Sequence, residues 1–341
     1  MPNTHQRAPS REPTPYPQLN AVLAHLVAEA RRLLADNFIG AYLQGSFAVG
    51  DADPYSDCDV IVVTRRDLAA AEIAPIQAMH AQIHEWPDNP WRNQLEGSYA
   101  PAAILKRWSP TPRDPPGEAR DLGWTDPGMS GAPAHAYPFW YLDHGSREFV
   151  RSEHDNTQVV RWVLREKGVV LAGPDPRRLI DPVAPEALRA EVRQTLELCA
   201  SLGLEPMHLA AWQTFWVGLF CRMLHTLATG RVASKPAALG WAEASLDPAW
   251  SGLIGRAKAL RKGMPEAALP ADPDEVRATR AFAAYALEWA EHWSKSREQA
   301  AQRLALARAG QPRFDARMRG GMSRSTYTPL PFKPDGRGRR G

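Results

Sequence analysis

The stretch from Phe38 to Thr64, FIGAYLQGSFAVGDADPYSDCDVIVVT, constrains the fold more than any other part of the chain. It begins with an apolar run, Phe38 to Leu43, that predicts a buried strand. A Gly-Ser turn and a polar connection rich in Gly, Asp and Pro follow, and the chain then re-enters as a second strand, Asp57 to Thr64. The pattern therefore predicts a strand–turn–strand core with polar residues gathered where the second strand begins.

Asp57 and Asp59 lie at the mouth of that second strand. Residues i and i+2 of a strand point to the same face, so the two carboxylates can converge on one point. Mg²⁺ suits such a pair, because it binds one or two carboxylates and completes its shell with water and phosphate oxygens. Gly45 and Ser46 complement it, since a glycine lets backbone approach a phosphate and a hydroxyl donates a further bond.

The combination of Gly-Ser, ten residues and then Asp-x-Asp resembles the signature of the nucleotidyltransferases related to DNA polymerase β. This resemblance implies an α/β (α+β) domain with a small mixed sheet that binds ATP and Mg²⁺. In that superfamily a third strand brings a third carboxylate beside the aspartates. Glu96, on a predicted strand from Leu95 to Ile104, matches in position and order, either as a third metal ligand or as the base that takes a proton from an attacking hydroxyl.

The second half of the chain resembles the C-terminal domain of aminoglycoside adenylyltransferases of the streptomycin/spectinomycin type. The segments that carry this resemblance are KGVVLAGPDPRRLIDPV and CRMLHTLATGRVASKPAALGWA, and the whole resemblance covers roughly Phe38 to Leu105 and Lys167 to Arg261. In that family a lysine of the helical domain reaches the ATP phosphates, and Lys235 matches it. Arg222 either acts similarly or forms a buried salt bridge.

One departure leaves the acceptor open. The family presents acidic residues to its cationic drug, whereas a rough alignment places His208, Trp212 and Phe215 at those positions; Glu205 or Glu243 could compensate. The resemblance implies transfer of AMP from ATP to a hydroxyl of an aminoglycoside. The alternatives are the same chemistry on another small molecule or a protein side chain, and a non-catalytic nucleotide-binding sensor.

The chain is long enough for two domains. We expect five segments: residues 1–17 disordered, 18–108 a nucleotidyltransferase domain, 109–138 a loop insertion, 139–309 an all-α helical bundle that closes on ATP and substrate, and 310–341 a basic disordered tail. The formal net charge of +3 divides into +6 for residues 311–341 and −3 for the remainder. A slightly acidic body argues against a nucleic-acid-binding protein.

Neither a run of about 18 apolar residues nor a secretory leader is visible, so we expect no membrane segment. Three scattered cysteines, without zinc spacing, fit a reducing, cytoplasmic setting. His80 and His84 are four residues apart on a predicted helix, an arrangement more typical of an exposed helix face than of a metal pair. The sequence does not indicate an oligomeric state.

Overall fold

The computed structural model describes residues 12–52, 56–109, 137–143, 146–201, 210–260 and 269–309. The first half contains these elements: α1 (Pro17–Leu34), β1 (Phe38–Leu43), α2 (Gly45–Val49), β2 (Cys58–Thr64), α3 (Ala70–His84), β3 (Leu95–Pro101) and α4 (Ala102–Leu105). The second half contains these: β4 (Phe139–Leu142), β5 (Val150–Ser152), α5 (Gln158–Lys167), β6 (Val169–Ala172), α6 (Pro185–Ser201), α7 (Ala210–Thr229), α8 (Lys235–Ser245), α9 (Ser251–Leu260) and α10 (Pro273–Ala309).

The strands form a six-stranded mixed sheet in the order β5-β4-β3-β2-β1-β6. Among the five pairings of the described strands, β2 with β3 is parallel and the other four are antiparallel. The long crossover through α3 makes that one parallel pair, as parallel neighbours require. The expected mixed α/β sheet followed by a helical part is confirmed.

The sheet extends further along the chain than the sequence suggested. We expected the helical part to begin at residue 139, but β4, β5 and β6 all pair within the sheet. The short run FWYL of β4 is buried at every position, and four buried apolar residues do not distinguish strand from helix by periodicity. The predicted strand to Ile104 also ends earlier, at Pro101, where α4 begins.

The helical stretch from Lys235 to Leu260 is divided into α8 and α9, because Asp247 and Pro248 start a short 3₁₀ turn between them. One further expectation differs from the structure. Within the expected disordered N-terminus, residues 12–16 are placed: Thr14 hydrogen-bonds Asn20, and the Tyr16 ring packs against Trp91. Residues 1–11, most of the 109–138 insertion and the 310–341 tail lie outside the described residues.

Separate apolar cores stabilise the sheet and the helices. α1 and α3 cover one face of the sheet through Leu23, Leu26 and Ile76. α7, α8, α9 and α10 enclose a second core around Phe220 and Phe282. Of the described residues, those up to Trp293 belong to one compact unit and those from Ser294 to Ala309 to a second.

Two buried arginines secure the segment between β5 and α5. Arg151, 2% exposed, donates to the Asp67 carboxylate at 2.6 Å and stacks on Trp140. Arg161, 1% exposed, donates to the carbonyls of Ile104 and Leu105. A buried charge that is hydrogen-bonded on several sides is tolerated, and it fixes the backbone to which it bonds.

No helix in the described ranges is long and apolar enough to cross a membrane.

His80 on α3 gives a testable pH dependence of stability. Burial lowers the pKa of His80 from 6.5 to about 4, and its Nε2 lies 2.9 Å from the Tyr99 hydroxyl. Between about pH 6.5 and pH 4, His80 is therefore protonated in the unfolded chain and neutral in the folded chain. Acidification through this range lowers the free energy of unfolding.

From pH 7.5 to pH 5, we expect this residue to lower the free energy of unfolding by about 1–2 kcal/mol. His80→Phe should lose that part of the pH dependence, whatever its effect on stability at pH 7.5. Urea denaturation of both proteins at both pH values measures the difference. Identical pH dependence in the two proteins would contradict the assignment.

Candidate active site

The turn between β1 and α2 lies directly against the Asp59 carboxylate. Gly45 has φ +56°, and a Cβ placed on it would overlap Asp59 Oδ2. The backbone N–H of Gln44 donates to the Asp59 carbonyl at 2.9 Å, which holds the turn against the start of β2. Glycine is therefore required at position 45 both for the left-handed backbone and for the close approach of the carboxylate.

Ser46 follows in the first turn of α2. Its Oγ is buried and has no hydrogen-bond partner in the structure as described. A buried hydroxyl without a partner costs free energy, so such a group in a turn near carboxylates is a candidate for binding a ligand.

The parallel pairing of β2 with β3 brings the predicted acidic residues together. Asp59 and Glu96 are directly opposite each other in the register of the two strands. Asp57 comes immediately before β2 and is exposed, while Cys58 between the aspartates is fully buried on the opposite face. The structure thus places the Asp57–Asp59 pair and Glu96 at one edge of the sheet, beside Gly45 and Ser46.

The electrostatics of this edge are unfavourable to negative charge. Burial, together with the carboxylates of Glu96, Asp155 and Asp57, raises the pKa of Asp59 from 3.8 to about 8. An isolated cluster of this kind retains a proton near neutral pH, and a bound cation would displace it.

Glu96 is held by two side chains that the sequence did not single out. The Tyr141 hydroxyl donates to Glu96 Oε1 at 2.6 Å, and His154 Nε2 lies 3.2 Å from the same oxygen. The rings of Tyr141 and His154 lie 5.0 Å apart between centroids. Burial disfavours the charged imidazole, but the hydrogen bond to Glu96 and the charges of Asp155, Glu96 and Asp59 outweigh it and raise the pKa of His154 to about 9.

Asp155 is the buried carboxylate of the cluster. It is 1% exposed and accepts hydrogen bonds from Gln44 Nε2 at 2.9 Å and Ser98 Oγ at 2.7 Å. Burial raises its pKa above the usual value, although His154 and Ser98 oppose the shift. The stretch Glu153-His154-Asp155-Asn156 is rich in polar residues and precedes a helix, but nothing in its spacing indicates which strands it reaches.

Lys235 and Arg222 lie in the helical part, near the turn that follows β1. The Lys235 amide donates to Asp51 Oδ2 at 3.0 Å, which connects the start of α8 to the loop between α2 and β2. The Lys235 ammonium lies 5.8 Å from the centroid of the Phe215 ring. Arg222 Nε donates to the Ala233 carbonyl at 3.2 Å and so supports the loop that leads to Lys235.

The helical wall near Lys235 is aromatic. Trp212 and Phe215 are 36% and 39% exposed, and their rings meet edge to face at 5.8 Å. α7 carries no Asp or Glu along its length. Glu243 on α8 pairs with Lys258, whereas Glu205 and His208 lie outside the described residues.

The described residues contain no group of three His, Cys, Asp or Glu side chains gathered as a ready-made metal site. Glu96 is engaged by Tyr141 and His154. His80 Nε2 contacts the Tyr99 hydroxyl.

Comparison with known proteins identifies the two halves separately. A profile of the nucleotidyltransferase domain matches residues 27–100, which include β1, β2 and β3, and a profile of the aminoglycoside adenylyltransferase C-terminal domain matches residues 178–289. This chain is a nucleotidyltransferase that resembles the aminoglycoside adenylyltransferases. The matched ranges include every residue that the sequence analysis singled out for the site.

This nucleotidyltransferase is also similar in fold to a solved structure. A spectinomycin adenyltransferase from Enterococcus faecalis, crystallised with ATP and spectinomycin, superimposes with a TM-score of 0.51 at 18% sequence identity. The match covers 81% of this chain and 100% of that one. A comparison with curated protein sequences found no match.

Alanine substitutions at Gly45 and Gly50 test whether the turn at Gly45 lies against the Asp59 carboxylate. Both have positive φ, but a Cβ on Gly50 would meet nothing within 4 Å, whereas one on Gly45 would overlap Asp59. Gly50→Ala should therefore cost about 1–2 kcal/mol of unfolding free energy from backbone strain alone. Gly45→Ala should cost clearly more, because Asp59 must move as well.

Denaturant unfolding of the two variants measures the difference. Equal destabilisation would contradict the contact between Gly45 and Asp59.

Proposed function

We propose that this nucleotidyltransferase transfers AMP from ATP to a hydroxyl of a small molecule, with Mg²⁺ as cofactor. The observation that carries the proposal is the meeting of Asp59 and Glu96 on adjacent parallel strands, against the Gly45 turn. In the reaction the acceptor oxygen attacks the α-phosphorus of ATP, the bond between the α- and β-phosphates breaks, and pyrophosphate leaves.

The residues present fit a magnesium ion. Asp57 and Asp59 supply two hard oxygen ligands, the number that Mg²⁺ commonly takes from a protein. The raised pKa of Asp59 marks a carboxylate cluster whose repulsion a divalent cation would relieve. When bound, the ion would polarise the phosphate and offset the negative charge that develops during transfer.

Glu96 is proposed as the general base rather than as a metal ligand. Glu96 Oε1 already accepts a hydrogen bond from Tyr141 and lies beside His154. These two protein contacts fix the orientation of the Glu96 carboxylate. A base placed this way removes the acceptor's proton as the new oxygen–phosphorus bond forms. General base catalysis typically contributes about 10²–10⁴-fold in rate.

Gly45 and Ser46 are proposed to bind the terminal phosphates of ATP. The unpartnered Ser46 hydroxyl supports this role, since it could donate a hydrogen bond to a phosphate oxygen. Lys235, fixed beside Asp51 by its own backbone amide, would neutralise the leaving pyrophosphate. Arg222 contributes by holding the loop before Lys235 through the Ala233 carbonyl, and a direct contact with ATP is also proposed.

An aminoglycoside is the first acceptor to test, because of the C-terminal-domain match and the spectinomycin bound in the similar structure. The exposed Trp212 and Phe215, on a helix without carboxylates, favour a second candidate. That candidate is a hydroxyl compound with a flat apolar part and few positive charges, which would stack on the rings.

Mass spectrometry of acceptors incubated with the enzyme, ATP and Mg²⁺ tests the proposal. The panel should include streptomycin, spectinomycin and uncharged aromatic alcohols, and the expected result is the mass of one added AMP on one class. Mg²⁺-dependent ATP binding without transfer to any acceptor would contradict the transferase proposal and favour a nucleotide sensor.

Asp57→Asn and Asp59→Asn test the metal role, because each removes one charge with little change in shape. Transfer should fall by at least about 100-fold in either variant if both carboxylates stabilise the developing charge. The folded-state pKa of Asp59 is raised to about 8, so the penalty for ionising it grows as pH rises from about 4 to 8. Asp59→Asn should therefore keep or raise Tm at pH 8, and turnover like that of the wild type would refute the metal role.

A further inference from the structure

The segment that joins β5 to α5, residues 153–157, is held in place by buried hydrogen bonds. Arg151, just before the segment, donates to the Asp67 carboxylate. The side-chain amide of Asn156 donates to the Tyr137 carbonyl at 2.6 Å. Arg161 donates to Asn156 Oδ1 at 2.6 Å and thereby connects the segment to α5. A segment held by this many buried bonds has a fixed backbone, so the positions from which its other side chains extend are fixed too.

The fixed segment brings a carboxylate under the site. Asp155 accepts from Gln44, at the end of β1, and from Ser98, two residues after Glu96 on β3. Because β2 lies between β1 and β3, Asp155 connects the two outer strands across it.

The same segment places His154 against Glu96. His154 Nε2 is 3.2 Å from Oε1, and the Tyr141 hydroxyl reaches the same oxygen from β4 at 2.6 Å. Two donors on one carboxylate oxygen fix both the side-chain rotamer and the plane of the carboxylate.

We propose that Tyr141 and His154 are positioning residues, which hold the Glu96 carboxylate in the orientation that accepts the acceptor's proton. This inference rests on the proposed function, because it assigns Glu96 the role of base. Displacement of a reacting group by about 1 Å can cost about 100-fold in rate, so loss of either donor affects the chemical step rather than ATP binding.

The test compares three site variants with one matched control. Tyr141→Phe removes one donor, His154→Leu removes the other, and His154→Gln retains an N–H donor of similar reach. The control, Tyr99→Phe, deletes a buried tyrosine hydroxyl from β3, one that bonds His80 and not Glu96. The measurements are the ATP dissociation constant by calorimetry and the single-turnover rate of pyrophosphate release with the best acceptor.

Tyr141→Phe and His154→Leu should each slow the single-turnover rate by about 10–100-fold, with the ATP dissociation constant within threefold of the wild type. His154→Gln should recover most of the loss, and Tyr99→Phe should stay within twofold. Rates within twofold of the wild type for Tyr141→Phe and His154→Leu would overturn the proposal. An equal fall in Tyr99→Phe would overturn it too.

Crystal structures of the wild type and the Tyr141→Phe/His154→Leu double variant separate this inference from the proposed function. The Glu96 carboxylate should change rotamer, or divide between two, in the double variant and stay in place in Tyr99→Phe. An unchanged Glu96 carboxylate in the double variant would overturn the inference, even if the wild type transfers AMP. Absence of AMP transfer by the wild type would contradict the proposed function. The position of the Glu96 carboxylate in the double variant would still test whether Tyr141 and His154 hold it.

Discussion

The crowding of carboxylates around Asp59 is the constraint on which the rest of the site depends. Asp59 is opposite Glu96 in the parallel register of β2 and β3, above the buried Asp155, and its pKa is raised to about 8. A fold gains nothing in stability from such a cluster, because burial and like charges both disfavour ionisation. Such a cluster is understandable where a cation and a triphosphate compensate the charge, which is the chemistry we propose.

The surrounding structure serves to keep that crowding in place. Gly45 permits the turn to lie against Asp59, and the single parallel pair of the sheet delivers Glu96 from a distant part of the chain. Buried Arg151 and Arg161 then secure the segment that supplies His154 and Asp155. The hydrogen-bonded structure around the site thus compensates the free-energy cost of the strained Gly45 turn and of the crowded carboxylates.

Much of this arrangement could be predicted from residues close together in sequence. The Gly-Ser turn and the Asp57–Asp59 pair follow from strand periodicity, and Glu96 followed from the resemblance to a family. The roles of Tyr141, His154 and Asp155 could not be predicted. They depend on β4, which pairs with β3 across more than 40 residues of chain, and on β5, which adds to the same sheet beside β4. The short buried run of β4 also concealed that the sheet continues past residue 139.

The central claim is that Asp57 and Asp59 together hold a divalent cation beside the Gly45-Ser46 turn. The most direct measurement is a crystal structure with Mn²⁺ and a non-hydrolysable ATP analogue, in which anomalous scattering locates the metal. The account predicts one anomalous peak within about 2.0–2.3 Å of oxygens from both aspartates, with the terminal phosphates at the Ser46 hydroxyl. A metal bound elsewhere, or a triphosphate away from the Gly45 turn, would contradict it.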